Sequence, residues 1–408
     1  MKRREISFSP PDITEAEIEE VIKTLKSGWL TTGPRTKALE VKIAEFCHTG
    51  KAACLNSATA AEEMNFRILG IGEGDEVIVP AYTYTASAST AIHAGARVVF
   101  VDCQPGSTEM DYDAVEAAIN EHTKAIVAVD IAGIICDYDR IYQAVERKRG
   151  LFVPEGRDDL SGRIQKSLGR VAVVADAAHS FGASRDGKMS GEIADFSSFS
   201  FHAVKNFTTG EGGATTWRSI PGIEDEEIYR QIMLYSLHGQ NKDALAKSQL
   251  GAWEYDILGT WYKCNMLDFC AAIGLRQFER YPELLAKRRA IIEKYDEMSR
   301  ELGVEHLSHY SETATSSGHL YFIRIPGADD KKRREIIIEL AERGIPTNVH
   351  YKPLPMMTAY RQLGWDIKDF PNAYDYYENL ITLPLHTLLS DEDVEYIIEN
   401  VKEVVGKC

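Results

Sequence analysis

The chain has 408 residues, of which 44% are hydrophobic and 26% charged, and its formal net charge is −16. That length exceeds one ordinary core and predicts two domains, while the acidity argues against a polyanion-binding surface and leaves room for a local basic pocket holding a phosphorylated small molecule. The seven cysteines (Cys47, Cys54, Cys103, Cys136, Cys264, Cys270, Cys408) are scattered without a CxxC pair, the N-terminus lacks an apolar leader core, and no segment approaches a membrane span. A reducing, cytoplasmic setting with no metal site, nucleic-acid partner or membrane contact is therefore expected.

Thr14 and Glu17 form a capping-box pattern, predicting a helix with Ile18, Val21, Ile22 and Leu25 facing inward and Gly28 as its stop. Gly28-Trp-Leu-Thr-Thr-Gly-Pro34 reads as a polar loop, whose simplest role is connection. Helical spacing returns over Thr36–Phe46. The run Ala52–Glu62 is then a short strand turning through small residues into a helix carrying Met64, Ile68 and Leu69. Backbone N–H groups at such a turn, helped by the helix dipole, suit an anion. Ser57, Ala58 and Thr59 are thus candidates for a phosphate cup, although most such turns only cap their helix.

Strands at Glu76–Pro80, Arg97–Asp102, Ala125–Val129 and Val171–Ala175 alternate with helices through Ala88–Ala96, Asp113–Asn120 and Tyr138–Arg149. This is an α/β pattern and predicts a mainly parallel sheet covered on both faces, with ligands at the carboxyl ends of its strands. The polar, glycine-interrupted segment Arg147–Arg170 reads as a surface elaboration. Asp176 directly follows a strand, with His179 close behind; alone, such an aspartate is usually a turn residue and such a histidine structural. The strand Phe196–Phe201 leads to Lys205 and a polar turn closed by Gly212 and Gly213. A lysine there is desolvated on one side and open to a ligand on the other, which suits a Schiff base, whereas most lysines in apolar settings only snorkel. A shared sheet edge would bring Lys205 and Asp176 together.

Beyond Trp217 the chain reads as helical and irregular through His238–Trp261. Apolar spacing over Asn265–Tyr281 is followed by a helix from Pro282 to about Leu302 with a solvated charged face. A strand at Leu320–Ile325, a helix at Lys331–Arg343 stopped by Gly344, and a closing helix from Ser390 with Val394, Ile397, Ile398 and Val401 inward complete the pattern. Residues 1–275 are expected to form a large domain with an N-terminal arm, and residues 276–408 a smaller α+β domain.

Lys205, Asp176, an anion cup and an aromatic after the Pro80 strand describe a pocket for pyridoxal 5′-phosphate. The motifs Gly28–Pro34, Asn56-Ser-Ala-Thr-Ala-Ala61, Gly74–Pro80 with Thr83-Tyr84, Asp176-Ala-Ala-His179, Ser200–Lys205 with Thr209–Gly213, Asn265–Asp268, His350-Tyr-Lys-Pro353 and Leu383-Pro-Leu385 run in register along nearly the whole chain. In this the chain resembles the DegT/DnrJ/EryC1/StrS family of nucleotide-sugar aminotransferases, nearest to those that make 4-amino-4-deoxyarabinose nucleotides.

The resemblance implies a type I aminotransferase fold and a two-stage transamination through pyridoxamine 5′-phosphate. The amine would pass from L-glutamate to a nucleotide-linked keto sugar, at C4, for a cell-surface polysaccharide. It further implies that Lys205 is the Schiff-base lysine and proton carrier, that Asp176 pairs with the ring nitrogen, that His179 contacts the phenolic oxygen side and that Tyr84 stacks on the ring. Ala58, Thr59 and Ser200 would bind the phosphate, with Ala58 where glycine is usual. A homodimer partner would complete the phosphate site through Lys263 or Asn265, and Trp29, Thr31, His350 and Lys352 are the candidates for the sugar side. Keto-sugar dehydratases of the same fold replace the lysine with histidine, and a non-catalytic regulatory relative would have lost the cofactor set; the chain shows neither feature.

Overall fold

The computed structural model describes residues 3–242 and 254–407. Seven strands form the main sheet: β1 (Ala52–Leu55), β2 (Glu76–Pro80), β3 (Arg97–Val101), β4 (Thr123–Val129), β5 (Ala172–Asp176), β8 (Phe196–Ser200) and β9 (Gly213–Trp217). Between β5 and β8, the two-residue strands β6 (Ser184–Arg185) and β7 (Lys188–Met189) pair with each other. The main sheet order is β1-β9-β8-β5-β4-β2-β3. Pairings among β3, β2, β4, β5 and β8 are parallel, and only β9 runs against its neighbours. Strands such as Val77-Ile-Val79 and Val173-Val174 are buried on both faces, as a doubly covered parallel sheet requires. The α/β architecture expected from the sequence is present.

A smaller antiparallel sheet joins β10 (Glu305–His306), β12 (Tyr321–Arg324) and β13 (Leu380–Leu383), while β11 (Ala314–Thr315) pairs with β6. Its core gathers Ile291, Ile292, Tyr295, Ile323, Ile381 and Ile397. Ile6 joins that core as well, and its N–H bonds the Gly344 carbonyl at 2.9 Å, so the first described residues pack on the C-terminal part.

Two expectations are corrected. The segments Asn265–Tyr281 and Pro282–Leu302, read as separate, share one helix, Asp268–Leu302, with Pro282 inside it. A proline forfeits a single helical hydrogen bond, and the flanking turns carry Tyr281 and Leu284 into the large core and Ile291, Ile292 and Tyr295 into the small one. The first helix, Glu15–Ser27, does have its capping box and ends at Gly28 with φ of 74°, but it lies the other way round. Glu17 and Thr24 are buried, whereas Ile18, Ile22 and Leu25 are 44%, 42% and 53% exposed. Glu17 is drawn inward by Gln277 and Arg280, which donate to its Oε1 at 2.8 and 2.9 Å, and Arg276 donates to Glu20 at 2.7 Å. Ion pairing with the long helix therefore decides which face turns in.

Part of the irregular stretch around His238–Trp261 lies outside the described residues, as does Cys408. The six described cysteines are free, and among the described residues no helix is long and apolar enough to cross a membrane.

Candidate active site

The carboxyl edge of the main sheet gathers the candidate residues because every strand that carries one ends there. Asp176 closes β5 opposite Val129 and Ser198, and Ser200 closes β8 opposite Gly213. A cavity of about 360 Å³ opens between them, within the range of small-ligand sites. Ala58, Thr59, Tyr84 and Asp176 line it, with His179, Ser200 and Lys205.

Lys205 sits in the β8–β9 loop, where its N–H bonds the His202 carbonyl at 2.9 Å. Surrounding protein desolvates its amine and lowers its pKa to about 8, against an upward pull from Asp176. Asp176 is 6% exposed. Burial raises its pKa above the usual aspartate range, countered by Ser87 Oγ donating to Oδ2 at 2.6 Å, the Ala178 N–H donating to Oδ1 at 3.2 Å, and the charge of Lys205. Thr83 in turn holds Ser87, Oγ to Oγ at 2.7 Å.

At the opposite wall, Ser57 caps the helix Ala58–Ile68 by accepting the Ala60 N–H at 3.1 Å. The Ala58 and Thr59 N–H groups, in the helix's first turn, have no partner among the described residues. Ala58 is the first helical residue, where alanine is as comfortable as the glycine expected there. Close approach is secured from β9 instead: a Cβ on Gly213 would lie 2.3 Å from Ser57 C and 2.5 Å from Ala58 N. Tyr84 is 58% exposed and forms an open wall, its ring centroid 5.6 Å from that of Tyr351.

His179 accepts the Ala132 N–H on Nδ1 at 3.2 Å, so the neutral ring carries its proton on Nε2, 3.1 Å from the Tyr351 hydroxyl. Burial, Lys205 and His350 hold its pKa well below the usual histidine range. Tyr351 also lines the cavity and was not singled out from the sequence, although its motif was. Its direction is set from across the fold: Tyr82 Oη accepts the Tyr351 N–H at 2.8 Å and donates to the His350 carbonyl at 2.7 Å. Ser87 and Glu62 were likewise missed, both inside helices whose spacing gave no chemical signal.

The remaining candidates do not line this chain's cavity. His350 stacks on Phe8 and Phe322 and lies 3.0 Å from Thr382 Oγ1, and burial and Lys205 lower its pKa to about 4. Lys352 borders a separate surface groove with Arg361 and Trp365. The Trp29–Thr31 loop is pinned beside the long helix, where Asp268 accepts the N–H groups of Gly33, Arg35 and Thr36 at 2.8, 3.1 and 2.9 Å. Asn265 is buried and fully engaged: Lys263 donates to its Oδ1, and its Nδ2 donates to Thr32 Oγ1 at 2.6 Å. Lys263 itself is exposed.

A lysine amine near neutrality, a buried carboxylate and an unpaired pair of helix N–H groups on the carboxyl edge of such a sheet define the site of a type I aminotransferase fold, and this donor set fits pyridoxal 5′-phosphate. The chain belongs to the DegT/DnrJ/EryC1/StrS aminotransferase family, whose model matches residues 11–156 and 164–402. It is 36% identical over 407 residues to the spore coat polysaccharide biosynthesis protein SpsC of Bacillus subtilis (strain 168), covering 98% of this chain and 97% of that protein. It is 32% identical over 404 residues to the UDP-4-amino-4-deoxy-L-arabinose--oxoglutarate aminotransferase of Shewanella sediminis (strain HAW-EB3), covering 97% of each. Among solved structures, the putative sugar aminotransferase Spr1654 of Streptococcus pneumoniae superposes with a TM-score of 0.94. Its PLP-form is 53% identical and covers 99% of both chains, and its PMP-form is 55% identical and covers 98% of this chain and 99% of that one.

Proposed function

We propose that this protein transfers an amino group from L-glutamate to C4 of a keto sugar carried on a nucleoside diphosphate. The carrying observation is the convergence of Lys205, Asp176 and the unpaired N–H groups of Ala58 and Thr59 on one cavity. Pyridoxal 5′-phosphate, when bound, supplies the electron sink that lets an amine leave one carbon and join another. Lys205 would hold the cofactor and, with its pKa lowered to about 8, would be the base that moves a proton between the substrate carbon and C4′. Asp176 would serve the ring nitrogen as its carboxylate partner, Tyr84 would cover a ring face, and neutral His179 would stand on the phenolic oxygen side. The N–H groups of Ala58 and Thr59 and the Ser200 hydroxyl hold the phosphate. Lysine rather than histidine at position 205 supports transamination over dehydration.

The names of the two curated relatives support a sugar acceptor, and that of the second supports a UDP-linked 4-amino sugar and oxoglutarate as co-product. A homodimer is supported by the outward apolar stripe Ile18, Ile22 and Leu25, joined by Leu30 at 43% exposure. In that dimer Lys263, exposed where Asn265 is buried, is the better placed of the two to reach the partner's phosphate, and Trp29, Thr31, His350 and Lys352 serve the sugar nucleotide. Free cysteines suit a cytoplasmic location.

The test is spectroscopic. Glutamate added to the pyridoxal 5′-phosphate-loaded protein should convert its visible band to that of pyridoxamine 5′-phosphate. The converted protein should then aminate one member of a panel of UDP-, GDP- and dTDP-keto sugars, the carbon being read by NMR. No conversion with any common amino acid would sink the reading.

A further inference from the structure

The helix that starts at the phosphate cup carries a further acid into the cavity that Asp130, Asp176 and Glu211 also line. Glu62, one turn after Ala58 and on the same face, lines the cavity and is 1% exposed. Its Oε1 is buried without a hydrogen-bond partner among the described residues. Asp176 lines the same cavity and is 6% exposed, and its charge disfavours ionisation of Glu62. Asp130, the third buried carboxyl of this cavity, accepts the Cys136 N–H at 3.0 Å and Ser180 Oγ at 2.8 Å. Glu62 and Asp176 remain, and two carboxyls so buried cannot both stay ionised, so one of them keeps its proton. Hydrogen-bond donors decide which. Asp176 receives Ser87 Oγ at 2.6 Å and the Ala178 N–H at 3.2 Å, both of which favour its anion. Glu62 receives none, and burial together with Asp176 pushes its carboxyl well above the ordinary glutamate range.

We propose that Glu62 is the proton-carrying member of a carboxyl pair, a positioning residue whose O–H turns to Asp176 and keeps that carboxylate ionised and directed at the cofactor's ring nitrogen. This rests on the cofactor reading given above for its second half only; the proton assignment holds for the protein alone. A neutral acid supplies a donor without adding a second negative charge to the site, which an ionised glutamate would do. Loss of that donor makes Asp176 more basic, draws the ring-nitrogen proton toward it, and leaves the ring less electron-poor.

The infrared difference spectrum of cofactor-free wild type minus cofactor-free Glu62→Gln should contain the C=O band of a protonated carboxylic acid, shifted in heavy water, beside any band left by Asp130 or Glu40, whose carboxyls burial also raises. In protein loaded with pyridoxal 5′-phosphate, Glu62→Leu should raise the pH at which the visible chromophore loses its proton by about one unit. Glu62→Gln, which keeps a neutral donor of the same shape, should raise it by less than half as much. A wild-type minus Glu62→Gln difference spectrum without that band overturns the proposal, and so does a Glu62→Leu midpoint equal to that of the wild type. Wild-type protein that takes up no pyridoxal 5′-phosphate overturns instead the functional reading, and the infrared result still decides where the proton sits.

Discussion

The Tyr351 hydroxyl lies 3.1 Å from His179 Nε2, while the other ring nitrogen of His179 accepts the Ala132 N–H at 3.2 Å. The second bond fixes the tautomer, so the imidazole donates and the tyrosine accepts. Tyr351→Phe leaves a buried N–H without a partner. It should lower the unfolding free energy by ~1–3 kcal/mol, read from urea midpoints, without altering the fold seen by circular dichroism.

Lys205 reacts as the free amine, and its pKa is about 8. The rate at which cofactor-free protein captures pyridoxal 5′-phosphate in a borohydride-reducible form should rise about tenfold per pH unit below that point and level off above it. Asp176 raises the Lys205 pKa, so Asp176→Asn should move the midpoint down. Lys205→Ala should abolish the adduct, and a trapped adduct on another lysine would reassign the site.

Gly213→Ala sets a methyl group against backbone at Ser57 and Ala58, which has no flexible end to move aside. The expected cost is ~1–3 kcal/mol of stability. If the Ala58 N–H holds the cofactor's phosphate as proposed, its displacement should also weaken cofactor binding by about tenfold or more, measured by equilibrium titration.

Lys263 and Asn265 separate cleanly by substitution. Lys263→Ala should impair cofactor retention with little change in thermal midpoint, whereas Asn265→Ala, which frees Thr32 from its 2.6 Å bond, should cost ~1–3 kcal/mol of stability. The reverse pattern would give the phosphate role to Asn265.

For the outward stripe, Ile18→Asp combined with Ile22→Asp alters side chains already 44% and 42% exposed. Stability of the isolated subunit should change by roughly 0.5 kcal/mol or less. The mass in sedimentation should fall from dimer to monomer; an unchanged mass would remove this face from the dimer interface.

What the sequence makes legible here is whatever local pattern controls. Alternating strands and helices put chemistry-bearing residues at one sheet edge, and this is why Asp176 and Lys205 are expected to meet there, with Ser57–Thr59 as a candidate anion cup, whereas Ser200 enters only through the family resemblance. Contacts made across the fold were not legible. Tyr351 enters the cavity because Tyr82 clamps its backbone from far away in sequence. The periodicity of Ile18, Ile22 and Leu25 marks an apolar face but cannot say what covers it, and buried ion pairs with Arg280 turned the helix over. Glu62 sits in a helical register that looks ordinary until it is found lining the same cavity as Asp176.

The reversed strand β9 has a consequence for the energetics of the lysine. A parallel strand would have required a long crossover, carrying the chain to the other edge of the sheet. Reversal returns it at once, so the segment 201–212 is anchored at both ends by adjacent strands and cross-tied within: Phe201 N–H to the Gly212 carbonyl, Thr209 N–H to the Phe201 carbonyl, each 2.9 Å, and Asn206 Nδ2 to the Ser317 carbonyl at 2.6 Å. The entropy of ordering that segment is spent when the protein folds, so the amine meets its ligand already in position and little of the binding energy is diverted to organising it.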